Sequence, residues 1–570
     1  LFNTYFSKSN KDYLYYWALY FTCFKKTNNE PDVAKIMAFS KEKRNAAYYH
    51  FNSCFRFQKA LSKAKDSTNI ALLYAFVSVQ RLAPNLDYLI KIYENSNKLR
   101  ILDFLLLREI NKIEDWVFTP YYTNYYPSTV SYDVWWKDYI DNRFSTNLLR
   151  ERSEKERRYA ENLLQFVSSV DLSKIKDIAL WKAAEIELLF ITRDFKSCLK
   201  KIGEFEKKYA GTKSIDLIEK LKALCLISDQ APGKAIIKDQ IKPIILKYIN
   251  ETPFIFALGR ELEFLGNISD GMALISYQNS KTSTYYYYYE CYENNGFKSV
   301  FWRGNRLKKS GNLVYFYNYF DYLDFVYSVD DLQKIMTKME SPLIEDFYKK
   351  IYSTLVHDQK YLTDMLGTKY IRENRLYEAV KIFESLGAQY WEDNYNPWER
   401  DRFGDGYYFD QNPFYDLKYT KSFIPHEEKY IVTKLSVLKH LIKYIEIANN
   451  PKNENRDYYY FLVANCYLGM SQYGSSWMMR RFNFTTGFME NNDDSYIDER
   501  EYRNGDLAQH FYHLAYLHAK TKPFKALCLR MEEYVSDPKR KFEKLKKLYP
   551  EYYEDLSSCE NLELYFKNRR

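Results

Sequence analysis

Apolar residues recur at spacings of three and four along nearly the whole chain. In Lys98–Trp116 they fall at Leu99, Leu102, Leu105, Leu106, Ile110 and Ile113, one broad stripe of a helix. The same spacing predicts helices over Asp12–Phe24, Asp32–Phe57 and Asn147–Val167, the last with interleaved Arg and Glu that suit an exposed face. From residue 175 onward, helices follow one another through short polar joints. Ile178–Ile191 is joined by Thr192-Arg193-Asp194 to Phe195–Tyr209, and Ser214–Ile227 leads through Pro232-Gly233 to Lys234–Tyr248. Thr252-Pro253 opens a helix that ends near Gly266, and Ser341-Pro342 with Glu345 repeats that start signal. No alternation of period two survives over several strands, so the expected fold class is all-α.

One stretch carries a sharper pattern. Leu366-Gly367, Tyr370, Asn374, Ala379 and Phe383 have the spacing of a tetratricopeptide helix pair. Small Gly367 and Ala379 allow two antiparallel helices to approach, Tyr370 and Phe383 fill the groove beside them, and Asn374 tolerates the turn. Weaker copies lie at Trp181–Phe205 (Trp181, Cys198, Ile202, one residue out of step), Tyr458–Met470 (Ala464, Tyr467) and Asp506–Lys520 (Ala508, Tyr512, Ala515). These suggest a tetratricopeptide-like α-solenoid, a superhelix of degenerate pairs interrupted by aromatic-rich insertions at 392–425 and 471–505. The expected organisation is an N-terminal helical region, 1–170, with an aromatic loop near 120–145. A repeat solenoid over 171–391 and C-terminal repeats over 392–570 follow.

Composition sharpens this. The 570 residues include 58 Tyr, 38 Phe and 9 Trp but only 17 Gly and 15 Pro. That Gly and Pro content is about half the usual share and excludes collagen-like, low-complexity and turn-dense β chains. The net charge of +9 is mild for this length, and its densest stretch, Lys539–Lys547, reads as a solvated helix face; no nucleic-acid partner is expected. No apolar run reaches the ~18 residues of a membrane helix, so no transmembrane segment of its own is expected. The chain begins at Leu1 and is expected to be a mature or trimmed product. Its eight Cys contain no C-x-x-C, and most read as buried thiols.

Catalytic, metal and cofactor signatures do not emerge. Asp401 to Gly406 lacks the ligand spacing of a calcium loop, and the acidic run Glu490–Glu501 has no defined metal spacing. His510 and His513 share a helical face with no third ligand at the right step. The surplus aromatic residues are the better candidates for contact with a partner, because Tyr and Trp offer large flat surfaces with a polar end. They are Trp135 and Trp136; Tyr285, Tyr287 and Tyr289 in the run Tyr285–Tyr289; Trp391, Trp398 and Phe403; and Trp477 with Arg480 and Arg481.

Four blocks, Arg108–Trp116 (REINKIEDW), Leu366–Asn374 (LGTKYIREN), Asn412–Thr420 (NPFYDLKYT) and Arg456–Phe482, resemble blocks in tetratricopeptide-like helical-repeat proteins of bacterial outer-membrane lipoprotein type. The resemblance spans most of the chain and implies an extracytoplasmic location with an accessory role in an envelope assembly. It carries no reaction and no functional residues. The expected function is therefore a non-enzymatic scaffold for protein or peptide partners, an accessory subunit of an outer-membrane transport or secretion complex. The alternatives are a glycan-acting α/α-toroid enzyme with two facing carboxylates, and a glycan-binding surface protein using its Tyr and Trp loops.

Overall fold

A computed structural model describes residues 16, 19–20, 30–40, 42–51, 57–96, 100–123, 127, 146–279, 323–324, 327–341, 345–395, 412–415, 432–472, 474, 476–481, 497–537 and 539–557. Among these residues every regular element is helical and no strand occurs. The chain divides into two compact units, one of the described residues up to Asn267 and one of those from Ile268 onward.

The first unit holds α1 (Glu30–Phe39), α2 (Arg44–Phe51), α3 (Phe57–Ser62), α4 (Ser67–Gln80), α5 (Leu86–Asn95), α6 (Arg100–Thr123), α7 (Thr146–Ser169), α8 (Ile178–Ile191), α9 (Phe195–Tyr209), α10 (Ile215–Ser228), α11 (Lys242–Lys247) and α12 (Thr252–Phe264). From α6 to α10 each helix packs on the next, and α10 also packs on α12. Aspartates start several helices: Asp66, Asp177 and Asp194 accept the backbone N–H groups of Asn69, Leu180 and Ser197 at 2.7, 3.1 and 3.1 Å.

The second unit holds α13 (Ile268–Asn279), α14 (Val329–Glu340), α15 (Asp346–Ile351), α16 (Ser353–His357), α17 (Gln359–Arg372), α18 (Leu376–Glu384), α19 (Ala388–Tyr395), α20 (Lys434–Asn449), α21 (Arg456–Gly469), α22 (Ile497–Asn504), α23 (Asp506–His518), α24 (Lys522–Ser536), α25 (Glu543–Leu548) and α26 (Pro550–Ser557). Packing again follows chain order: α17 on α18, α18 on α20, α20 on α21, α21 on α23, and α23 on α24. Ser328 with Asp331, and Thr433 with Ser436, form reciprocal caps at the starts of α14 and α20.

The structure departs from the sequence expectation at four places. The helix expected over Asp32–Phe57 is interrupted at Ser40, whose hydroxyl accepts the Lys43 N–H at 3.1 Å while Arg44 Nε donates to Met37 O at 2.8 Å. Helix α6 runs on through Pro120 to Thr123, so the break expected at Pro120 comes later; the proline has no N–H to give Trp116 O, and the helix ends within one further turn. Residues 234–241 are not helical. Gln230 clasps them instead, its amide donating to Ile236 O at 2.9 Å and accepting from Ile236 N at 3.1 Å, while Asn267 Nδ2 donates to Ala235 O at 3.0 Å. Finally, the boundaries expected at 170/171 and 391/392 fall inside the two units. Helix α8 packs on α6 and α7 across the first, and Lys434 reaches Asp364 across the second.

Candidate partner-binding surface

Three helices end in the same way. Arg193 after α8, Gly266 after α12 and Asn374 after α17 have φ of 62°, 86° and 57°. In each case the following residue donates its N–H five residues back: Asp194 to Leu189 O at 3.0 Å, Asn267 to Leu262 O at 2.8 Å, Arg375 to Tyr370 O at 2.8 Å. The left-handed residue itself donates three back, to Phe190 O, Glu263 O and Ile371 O, at 3.0, 2.9 and 2.9 Å. This turn satisfies the last carbonyls and ends the helix.

Around Asn374 the close approach read from the sequence is present. A Cβ added to Gly367 would lie 2.1 Å from Phe383 Cε1, so only glycine leaves room for that ring. Ala379 and Phe383 are fully buried, and the Phe383 ring meets Trp391 edge-on at 5.4 Å and 88°. Tyr370 accepts from Gln333 Nε2 at 2.6 Å and lies 4.5 Å beneath the Arg375 guanidinium. Counted from the left-handed residue, Leu258-Gly259, Leu262, Gly271 and Ile275 repeat the spacing of Leu366-Gly367, Tyr370, Ala379 and Phe383. That copy carries Gly where the other has Ala, and Leu and Ile where it has aromatics, and an aromatic-weighted search passes over it. Counted likewise from Arg193, Cys198 stands at the Ala379 position and Ile202 at that of Phe383.

The proposed contact residues divide sharply. Trp135, Trp136, Tyr285, Tyr287, Tyr289, Trp398 and Phe403 lie outside the described residues. Those within reach of description are interior. Trp391 is 6% exposed and Trp477 8%, while Arg480 and Arg481 are each 2% exposed. These four therefore do not present a surface to a partner in this structure. Arg372 Nε donates to Arg480 O at 2.5 Å, and the Arg481 guanidinium stands 4.6 Å from the Tyr502 ring centre. Gln472 N donates to Tyr502 O at 2.9 Å, and Gly474 passes so close to Gly469 that a Cβ would meet its Cα at 2.3 Å. The described part of 471–505 thus packs against the end of α21 and against α17, while α21 and α23 on either side of it in sequence pack on one another. Of 392–425, Phe414 is fully buried and its carbonyl accepts from Asn465 Nδ2 at 3.0 Å.

Sequence periodicity gives no hint of the charged interior. On α17, Asp364, Thr368 and Arg372 form a stripe at i, i+4 and i+8 that is buried rather than solvated. Lys434 Nζ donates to Asp364 Oδ1 and Thr368 Oγ1, both at 2.8 Å, and Tyr390 donates to Asp364 Oδ2 at 2.8 Å. Arg372 pairs with buried Asp324. In the first unit, Glu109 accepts hydrogen bonds from the Tyr159 hydroxyl at 2.6 Å and the Asn85 N–H at 2.8 Å, and pairs with Lys112 at 2.5 Å. Burial holds the Lys112 ammonium down to about 8 despite Glu109 beside it. Burial likewise raises the Glu261 carboxyl, against hydrogen bonds from Tyr122 at 2.7 Å and Ser228 at 2.9 Å. All these groups lock helices to one another.

On α23, His513 Nδ1 lies 3.1 Å from Glu532 Oε2 and His518 stacks on Tyr460 at 5.5 Å, while His510, His513 and His518 are all exposed. Among the described residues no group of three or more His, Cys, Asp or Glu side chains is gathered as for a metal ion. No helix among them is long and apolar enough to cross a membrane. At α25, Lys541, Glu543, Lys546, Lys547 and Tyr553 line an open cleft of about 470 Å³. Comparison with protein-family models, curated proteins and solved structures gives no match.

Proposed function

We propose that this chain is a tetratricopeptide-like helical-repeat scaffold that binds a protein or peptide partner and performs no reaction of its own, as an accessory subunit of a bacterial envelope complex. The observation that carries the repeat reading is the turn shared by Arg193, Gly266 and Asn374, with the same small-residue spacing counted from it. Successive helix pairs of this kind stack into long surfaces suited to extended partners. The lysines of the α25 cleft add a positive potential that favours an acidic segment. The envelope setting rests on the resemblance of the four sequence blocks.

The test is purification of the tagged full chain from its native cells, with membrane and soluble fractions handled separately and co-purifying proteins identified. A defined partner at a fixed ratio in the membrane fraction is the expected result. Recovery of the chain alone in the soluble fraction would overturn the reading. Hydrolysis of a glycan panel by the purified chain would instead favour the toroidal enzyme.

A further inference from the structure

Helices α9 and α10 meet along a seam in which two cysteines face each other. Cys198 and Cys225 are both wholly buried, and their sulfurs lie 3.2 Å apart. The Cys198 sulfur also approaches Ile186 O of α8 at 3.4 Å. A disulfide bond requires about 2.05 Å between sulfurs. Closure therefore demands an approach of about 1 Å, which small rotations at the two side chains supply. Both cysteines sit on helices that pack directly on one another, so a short covalent link between them spans a contact already made.

We propose that Cys198 and Cys225 are a structural disulfide pair, present here as the dithiol, whose closure locks α9 to α10 in the first unit. The inference is independent of the scaffold reading. In the reaction each thiol gives up its proton, the S–S bond forms, and two electrons pass to a small-molecule disulfide oxidant, which is released as two thiols. The hydrogen bond to Cys198, and then burial, hold the Cys225 thiol far above its ordinary range, so the folded dithiol is a poor nucleophile. Closure accordingly belongs to the folding chain, before the seam is sealed.

The full chain, unfolded and reduced, is refolded by dilution into oxidised and reduced glutathione. It is then blocked with iodoacetamide in denaturant and digested for mass spectrometry. The expected product is one peptide pair joined through Cys198 and Cys225 that separates on reduction. The same oxidant added to the already folded dithiol should form that link at least about tenfold more slowly. Separate alkylation of both cysteines after oxidative refolding, or pairing of either with another cysteine, would overturn the proposal. Closing a loop of roughly 28 residues should favour the folded first unit by roughly 400-fold over the reduced protein. That difference between oxidised and reduced protein should vanish in Cys198→Ala and, independently, in Cys225→Ser. A linked pair with no gain in the folding equilibrium would refute the locking role.

Discussion

Gly367→Ala adds a single methyl group at the closest contact between α17 and α18. The new Cβ would stand 2.1, 2.5 and 2.7 Å from Phe383 Cε1, Cδ1 and Cζ, where carbons normally rest ~3.5–4.0 Å apart. Something must move by about 1.5 Å. The ring cannot swing outward, because Phe383 is fully buried and Trp391 abuts it edge-on at 5.4 Å. Overpacking of this kind costs about 1–3 kcal/mol. Alanine recovers about 1 kcal/mol of helix propensity over glycine. The net expectation is a loss of about 0–2 kcal/mol, or up to roughly 8 °C in the melting of the second unit, with the coupling to Phe383 as the more sensitive readout. The assay is urea denaturation with hydrogen exchange read separately in α17 and α18, since two units need not unfold together. Combining the change with Phe383→Leu removes the clash, so the double variant should lose less than the sum of the singles by at least about 0.5 kcal/mol. A Gly367→Ala protein as stable as the parent, with additive behaviour in the double variant, would show that the close approach does not exist.

Lys434→Met removes the cation from a pair in which both side chains are fully buried, and should cost about 3–5 kcal/mol in denaturant titration; converting Asp364 to Leu as well should restore part of that loss. Lys112 releases its proton near pH 8 when folded and near 10.5 when unfolded, so between these values the unfolded chain binds protons more strongly and stability rises with pH. Measured at pH 7.5 and 9.5, the parent should therefore gain about 1–2 kcal/mol relative to Lys112→Met, and equal slopes for the two would refute the assignment. Asn374→Gly should stay within about 1 kcal/mol of the parent, losing the 2.7 Å bond from Tyr467 but relieving a φ of 57°. Asn374→Val at the same φ should cost at least about 2 kcal/mol in the same titration, because a β-branched residue fits that conformation badly.

Much of the helical layout is legible in the residue pattern. Ile178–Ile191 and Phe195–Tyr209 are delimited to the residue, because Asp177 and Asp194 cap them and the apolar spacing is regular. The spacing marks Gly367 and Ala379 as small and Phe383 as a groove filler, and the packing of the two helices sets the Phe383 ring against Gly367. The stretch 234–241 defeats the same reasoning: its composition permits a helix, and the Gln230 and Asn267 side chains decide otherwise from outside the segment.

The contact residues show where such reading stops. An aromatic or arginine in a long polar segment looks exposed, yet Trp391, Trp477, Arg480 and Arg481 are interior. Their burial depends on backbone groups distant in sequence, as when Arg372 reaches Arg480 O. The charged stripe of α17 is equally hidden, because a buried lysine differs from a solvated one only in what other helices bring to it: Lys434 is an interior residue because Asp364 and Thr368 meet it. By itself, then, the sequence determined the all-helical class and the bounds of many helices, properties set within a few turns of chain. The tertiary structure alone decided which polar side chains are interior, which aromatics fill the units, and that Cys198 meets Cys225, because each depends on groups that meet only once the helices have packed.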